Sequence, residues 1–176
     1  MNVNLFLIDF KYGNIYSRPK RGRLSMRVFI DADASPVTKE VIALSQQYHL
    51  EVFVIKSYAH FSHDTVAEHV EVVYVDSEKD AADFAIASRV QPGDIVITQD
   101  YGLASICLAK QGHVIHHKGF LYTNKNIDRM LAMRHESAKA RRAGYRTKGP
   151  KPYMEEDKEK FLRLLNSIIT ANLNKE

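Results

Sequence analysis

From Met26 onward, short β-branched apolar runs alternate with stretches whose apolar residues recur at helical spacing. Residues 27–30, 51–55, 70–75, 94–98 and 113–116 read as strands. The run 94–98 is almost wholly apolar, as in strands buried on both faces of a sheet. Between the strands the spacing predicts helices over 36–48, 79–90 and 103–110. Pro36 suits a first helical position with Ser35 as its cap, and Ser77 opens the second helix. Ala81, Ala82, Ala85 and Ile86 make that helix's buried side. Strands separated by single helices argue for a parallel sheet in an α/β fold. Past the last strand, residues 124–143 form a helix with Ile127, Met130, Leu131 and Arg134 along one side. Residues 144–154 contain Gly144, Gly149, Pro150 and Pro152 and read as a strap. Residues 155–170 make a terminal amphipathic helix, with acids in its first turn where the macrodipole favours them. Residues 1–25 show no coherent period and include a basic loop at 18–23. They are expected to be a poorly ordered appendage to a single domain, 26–176.

Composition narrows the class. The chain has 176 residues, 45% of them hydrophobic, enough to remove roughly two thirds of the unfolded surface from water. No apolar run approaches the roughly 18 residues of a membrane-spanning helix. The apolar start precedes its positive charges, the reverse of a secretory signal. One cysteine, Cys107, allows neither an internal disulfide nor a cysteine metal cluster, so a reducing cytoplasmic setting is expected. The net charge of +4 is unevenly distributed. Residues 26–117 carry six Lys/Arg against thirteen acids, and residues 118–154 carry ten against two. An acidic body joined to a basic segment suits a metal-dependent site beside a polyanion-binding surface.

The acids fall in informative places. Ligands of open parallel sheets bind outside the carboxyl ends of the strands. Asp31 and Asp33 follow the first strand, and Asp100 follows the fourth in Ile97-Thr98-Gln99-Asp100. Asp80 and Asp83 lie one turn apart on the helix after the third strand. Carboxylates converging on one edge repel by about 4 kcal/mol per pair at 4 Å and an effective dielectric near 20. A divalent metal removes that cost, and all-oxygen ligands suit Mg²⁺ or Mn²⁺. Asp31, Asp83 and Asp100 are the expected ligands, with Asp33 and Asp80 completing the cluster. Each acid also has a structural alternative. Asp80 closes a capping-box pattern with Ser77, Asp100 suits a helix cap, and Asp33 suits a turn before Pro36. Asp83, mid-helix, has no capping task.

Five segments carry a resemblance to a known family: Asp31-Ala-Asp-Ala-Ser-Pro-Val37, the run from Asp94 to Ala104, Asn126-Ile-Asp128, Ala138-Lys-Ala-Arg-Arg-Ala-Gly144 and Lys148-Gly-Pro-Lys151. Together they resemble the YaiI/YqxD family of bacterial proteins over about residues 27–170. That resemblance implies a PIN-like three-layer sandwich with a parallel sheet and a C-terminal helical extension. It also implies acidic residues that bind Mg²⁺ or Mn²⁺ and cleave RNA. Asp31, Asp80 or Asp83, and Asp100 match the acids of such a site. Two positions depart from the pattern, Ser35 for the usual Cys and Lys118 for the usual Arg. The first argues against thiol chemistry there, and the second against a bidentate phosphate contact.

Other chemistries were weighed. Asp31-Ala-Asp after an apolar strand also resembles the nucleophile motif of haloacid-dehalogenase-like phosphatases, with Ser57 and Lys79 as further matches. No Gly-Asp-Asp-type pair follows. His60, His63 and the pair His116-His117 lack the grouping of a zinc site, and neighbouring strand residues point to opposite faces. His60 and His63 remain candidates to line the site as proton donors. Cys107 sits among Ala104, Ile106 and Leu108 and reads as core. Lys139, Arg141, Arg142, Arg146, Lys148 and Lys151, interleaved with Tyr145 and Tyr153, suit a nucleic-acid backbone. A strap that merely neutralises the acidic body is the structural alternative, and a non-catalytic RNA-binding or ribosome-associated protein is the functional one.

A chain starting at Met26 is expected to keep the melting temperature of the full chain. A drop of several degrees would show that Leu5, Phe6 and Ile8 pack on the body.

Overall fold

The structure is a computed structural model that describes residues 26–61, 66–78, 80–146, 149 and 151–174. The expected appendage at 1–25, together with His63, Lys79 and Lys148, lies outside the described residues. Six strands form one sheet: β1 (Val28–Asp31), β2 (Val52–Ser57), β3 (Val70–Val75), β4 (Ile95–Ile97), β5 (His113–His116) and β6 (Phe120–Leu121). Their order is β3-β2-β1-β4-β5-β6, parallel throughout except for the antiparallel β5–β6 pair. Among the described residues, five α-helices cover the sheet: α1 (Thr38–Gln47), α2 (Ala81–Arg89), α3 (Tyr101–Ala109), α4 (Asn124–Arg142) and α5 (Glu155–Leu173).

Strand alternation sorts the core into two layers. Val28, Ile30, Val52, Val54, Ile95 and Ile97 face α1 and α5, where Val41, Phe161, Leu165 and Ile169 meet them. Phe29, Ile55, Val73, Val75, Val96 and Val114 face the opposite way, onto Ile86, Leu103, Cys107 and Ile127 of α2, α3 and α4. The fold is therefore the expected three-layer α/β sandwich with a parallel sheet and a C-terminal helix. Each fully buried Val, Ile or Phe contributes about 1.5–3 kcal/mol, so both faces stabilise the sheet.

Several local expectations are corrected. The first helix begins at Thr38 rather than Pro36, and Ser35 does not cap it. Residues Ala32–Ala34 form a 3-10 turn, which engages the Ser35 N–H at the Ala32 carbonyl, and Asp33 accepts from the backbone N–H of Ser57 at 2.9 Å. The second helix starts at Ala81 behind Asp80, whose side chain makes no capping bond, so the Ser77–Asp80 capping box does not form. The two-residue strand β6 was not anticipated, being too short to show a period. His116 ends β5 and His117 begins the turn after it. Their rings therefore meet at 4.2 Å instead of pointing to opposite faces. Both are buried. Burial, then His117 and Lys118, pulls His116 down to about 4. It stays neutral as a packing residue and accepts a hydrogen bond at Nδ1 from the Lys118 N–H. Cys107 is core as expected, with burial pushing its thiol up to about 12.

Of the described glycines, Gly119 in the β5–β6 turn leaves the least room for a side chain. Gly119 has φ +77°, and a Cβ there would lie 2.5 Å from the Phe161 backbone nitrogen of α5. Gly119→Ala should therefore lower stability by well over ~1 kcal/mol, because both the backbone conformation and the helix contact oppose it. Gly144→Ala, at φ +83° with nothing within 4 Å, should cost only about 1–2 kcal/mol. Urea melts of the two variants test the contrast, and equal losses would mean that α5 does not rest on this turn.

Candidate functional site

In this strand order the connection after β1 runs to one face of the sheet and the connection after β4 runs to the other. The carboxyl ends of β1 and β4 thus mark a topological switch point, where a crevice opens. Asp31, the last residue of β1, and Asp100, the N-cap of α3, stand on its two sides. Thr98 ties them together. Its hydroxyl donates to Asp31 Oδ2 at 2.8 Å and accepts from the Asp100 backbone N–H at 3.0 Å. The sequence reading overlooked this threonine, which passes as one more β-branched residue of an apolar strand.

The surrounding carboxylates differ in what satisfies them. Asp100 is fully engaged. Oδ1 accepts from the Gly102 and Leu103 N–H groups at 2.7 and 3.1 Å, and Oδ2 from Arg134 Nη1 at 2.8 Å. Burial pushes its pKa up, but the Leu103 amide, Arg134 and the Gly102 amide outweigh that and hold the carboxyl below its usual range. Gly102 must be small, because a Cβ there would lie 2.9 Å from Asp100 Oδ1. Asp33 is also held: the Ser57 N–H reaches both its oxygens at 2.9 and 3.2 Å, and His60 Nδ1 lies 3.2 Å from Oδ1. His60 thus takes the expected place at the site.

Among the described residues, the Asp31 carboxylate accepts a hydrogen bond only from Thr98. Burial, then the nearby charges of Asp33 and Asp100, raises Asp31 against the pull of the Thr98 hydroxyl. Asp83 has no hydrogen bond or ion pair among the described residues. Burial, followed by repulsion from Asp100, Asp31 and Asp80, pushes it up to about 6. Asp80 adds a backbone oddity, a left-handed φ of 65° at the head of α2. Asp33, Ser57, Asp76, Asp80 and Asp83 also line a cavity of about 180 Å³ beside the crevice.

All five sequence-identified acids therefore gather at one edge of the sheet. Their side chains do not close into a cage, for among the described residues no three His, Cys, Asp or Glu side chains group around one possible ion position. The donor set still suits a hydrated cation. Mg²⁺ keeps several waters and is bound through one or two carboxylates plus substrate phosphates. Asp31 and Asp83, both oxygen donors with raised pKa values, are the pair with that capacity.

The basic segment flanks this edge through α4. Arg134 is half-exposed and reaches back to Asp100, a role the sequence reading missed by grouping it with the helix's apolar side. Beyond Leu131 the helix stands largely clear of the body. Lys139, Arg141, Arg142, Arg146 and Lys151 are exposed, as is Tyr145 at 71%. Among the described residues, Lys139, Arg142, Arg146 and Lys151 form no ion pair with a body carboxylate. The strap is instead anchored at its backbone, where Lys118 Nζ donates to the carbonyls of Lys151 and Pro152.

Comparison with known proteins agrees with this chain's motifs. A family model described as "Uncharacterized BCR, YaiI/YqxD family" matches residues 29–171. A UPF0178 protein of Bacillus thuringiensis is 48% identical over 144 residues, covering 82% of this chain and 99% of the relative. One from Oceanobacillus iheyensis is 49% identical over 145 residues, with the same coverage. No solved structure matches the chain. No described helix is long and apolar enough to cross a membrane.

Asp83 gives a pH-dependent test. Its folded-state value of about 6 exceeds the ordinary 3.8, so the native state binds this proton more tightly than the unfolded chain does. Ionising Asp83 therefore costs native stability, progressively from about pH 4 to pH 6 and fully above. Asp83→Asn should raise the melting temperature near neutral pH and lose that gain near pH 4. A gain independent of pH, or a loss at neutral pH, would contradict the unsatisfied carboxylate.

Proposed function

The chain belongs to the YaiI/YqxD family, and from its carboxylate crevice we propose that it is a Mg²⁺- or Mn²⁺-dependent phosphodiesterase acting on RNA. The observation that carries this reading is Asp83, a carboxylate with no hydrogen bond or ion pair among the described residues, which lines the cavity beside the switch point and feels the charges of Asp100 and Asp31. Asp83 stands in the first turn of α2 rather than mid-helix, where the macrodipole favours an acid. Burial and the charges of Asp100 and Asp31 still raise its pKa, and a bound cation would relieve that repulsion. Asp31 and Asp83 would hold the metal, which when bound supplies Lewis acidity and an activated water.

The remaining groups have distinct tasks in this reading. Asp100 is held by two amides and Arg134, so it shapes the field of the crevice and reaches a metal only if Arg134 leaves Oδ2. Arg134, whose guanidinium forms a planar fork of donors, suits a phosphate oxygen entering beside Asp100. Asp33 orients His60, placing an imidazole where it can pass a proton to a leaving oxygen. Lys139, Arg141, Arg142, Arg146 and Lys151, with Lys148 between them in sequence, supply backbone contacts along the polyanion. The aspartyl-phosphate alternative lacks a later Gly-Asp-Asp-type acidic pair in the sequence. A non-catalytic RNA-binding protein is the second reading, favoured by the ion pair that already neutralises Asp100.

Thermal melts and a cleavage assay separate these readings. Mn²⁺ at a hundredfold excess over its Kd should stabilise the chain by about 2.7 kcal/mol. Asp83→Asn should remove the gain while leaving the Asp100–Arg134 ion pair intact, which Asp100→Asn would not. RNA should be cut only with the metal, and not by the Asp31→Asn or Asp83→Asn variants. Binding without cutting supports the non-catalytic reading. Absence of both metal stabilisation and RNA binding rejects both.

A further inference from the structure

Three rings not used by the reading above lie at the β2–β3 end of the same sheet edge. Tyr58 begins the 3-10 turn Tyr58–His60 that follows β2, and its ring stacks on Tyr74 of β3 with centroids 5.6 Å apart and planes 22° apart. Phe61 closes on Tyr74 from the end of that turn, at 4.9 Å. Tyr58 and Phe61 remain 50% and 49% exposed, while Tyr74, partly buried, backs them. Single exposed aromatic residues are ordinary on protein surfaces. Here they form one cluster on a turn whose other side chain, His60, touches Asp33.

Position along the sheet edge gives the cluster its meaning. The strand order puts the rings at β2 and β3, the carboxylates at β1 and β4, and the basic helix α4 against α3 on the far side. A single-stranded polyanion laid along the edge from α4 would cross the carboxylates and then reach the rings. Aromatic faces accept any base by stacking, without hydrogen-bond readout. We infer that Tyr58 and Phe61, backed by Tyr74, form a stacking subsite for an unpaired nucleobase next to the phosphate held at the carboxylates. This rests on the RNA reading above and adds to it the place where the neighbouring base sits.

The test separates base from phosphate. Binding of a short oligoadenylate is compared with binding of the same-length ribose-phosphate chain lacking bases, in chelator so that nothing is cut. The full chain should prefer the base-bearing strand by about five- to a hundredfold per ring engaged. Tyr58→Leu and Phe61→Leu keep apolar bulk at exposed sites and should each reduce that preference, with affinity for the abasic strand and melting temperature unchanged. Tyr58→Phe should retain it. With nine tyrosines and no tryptophan in the chain, quenching of tyrosine fluorescence by the oligoadenylate should fall in Tyr58→Phe while affinity holds. Equal binding of both strands by the full chain, or a preference undiminished in the leucine variants, overturns the subsite and leaves the RNA reading standing. Binding of neither strand overturns both.

Discussion

The hydroxyl of Thr98 is the joint on which the crevice depends. It is buried between the carboxyl ends of β1 and β4, holding the Asp31 carboxylate with its proton and the Asp100 backbone with its lone pair. An isosteric valine would fill the volume and satisfy neither. The parallel order of the sheet makes the two strand ends neighbours, and the opposed directions of their connections leave space above them. The threonine fixes what stands in that space. Because Asp100 also caps α3 through the Gly102 and Leu103 amides, the helix, the strand end and the first acid form one hydrogen-bonded unit.

The two ends of the sheet treat buried charge in opposite ways. At the amino end, Asp94 is almost fully buried and wholly satisfied. The Arg27 guanidinium and the Arg27 and Gln91 amides surround it, and the guanidinium carbon lies 5.0 Å from the Phe29 ring centroid. At the carboxyl end, Asp31 and Asp83 are left with raised pKa values and too few donors. The same chain thus satisfies a buried aspartate completely where structure alone is at stake. Polar groups left incompletely satisfied are costly, and such groups concentrate where a protein meets a ligand.

Much of this was legible in the amino-acid order because periodicity reports burial directly. The five parallel strands, the helices between them and the basic arm follow from alternation and spacing, and the acids at the strand ends follow from parallel topology. What stayed hidden depends on contacts between distant residues. Arg134 lies 34 positions from Asp100, and its helix spacing placed it on an apolar stripe. Asp33 prefers Ser57, 24 residues away, to the start of its own helix. Thr98 is indistinguishable by type from a sheet-forming residue. Asp80 sits in a left-handed conformation that no propensity assigns to aspartate ahead of a helix. Local patterns set the elements, and the pairing among strand-end side chains is decided only once the sheet has brought them together.

The contact between Gly119 and α5 has a bearing on how the chain assembles. α5 follows all six strands in the chain, yet Phe161, Leu165, Ile168 and Ile169 fill the middle of the layer shared with α1. On a ribosome, the face carrying Ile30, Ile97 and Ile115 stays half bare until this helix has emerged. The opposite face, served by α2, α3 and α4, can close earlier. The order of synthesis therefore leaves the carboxylate edge built on a sheet with one finished side, and the last helix locks it by resting on a residue that has no side chain to refuse it.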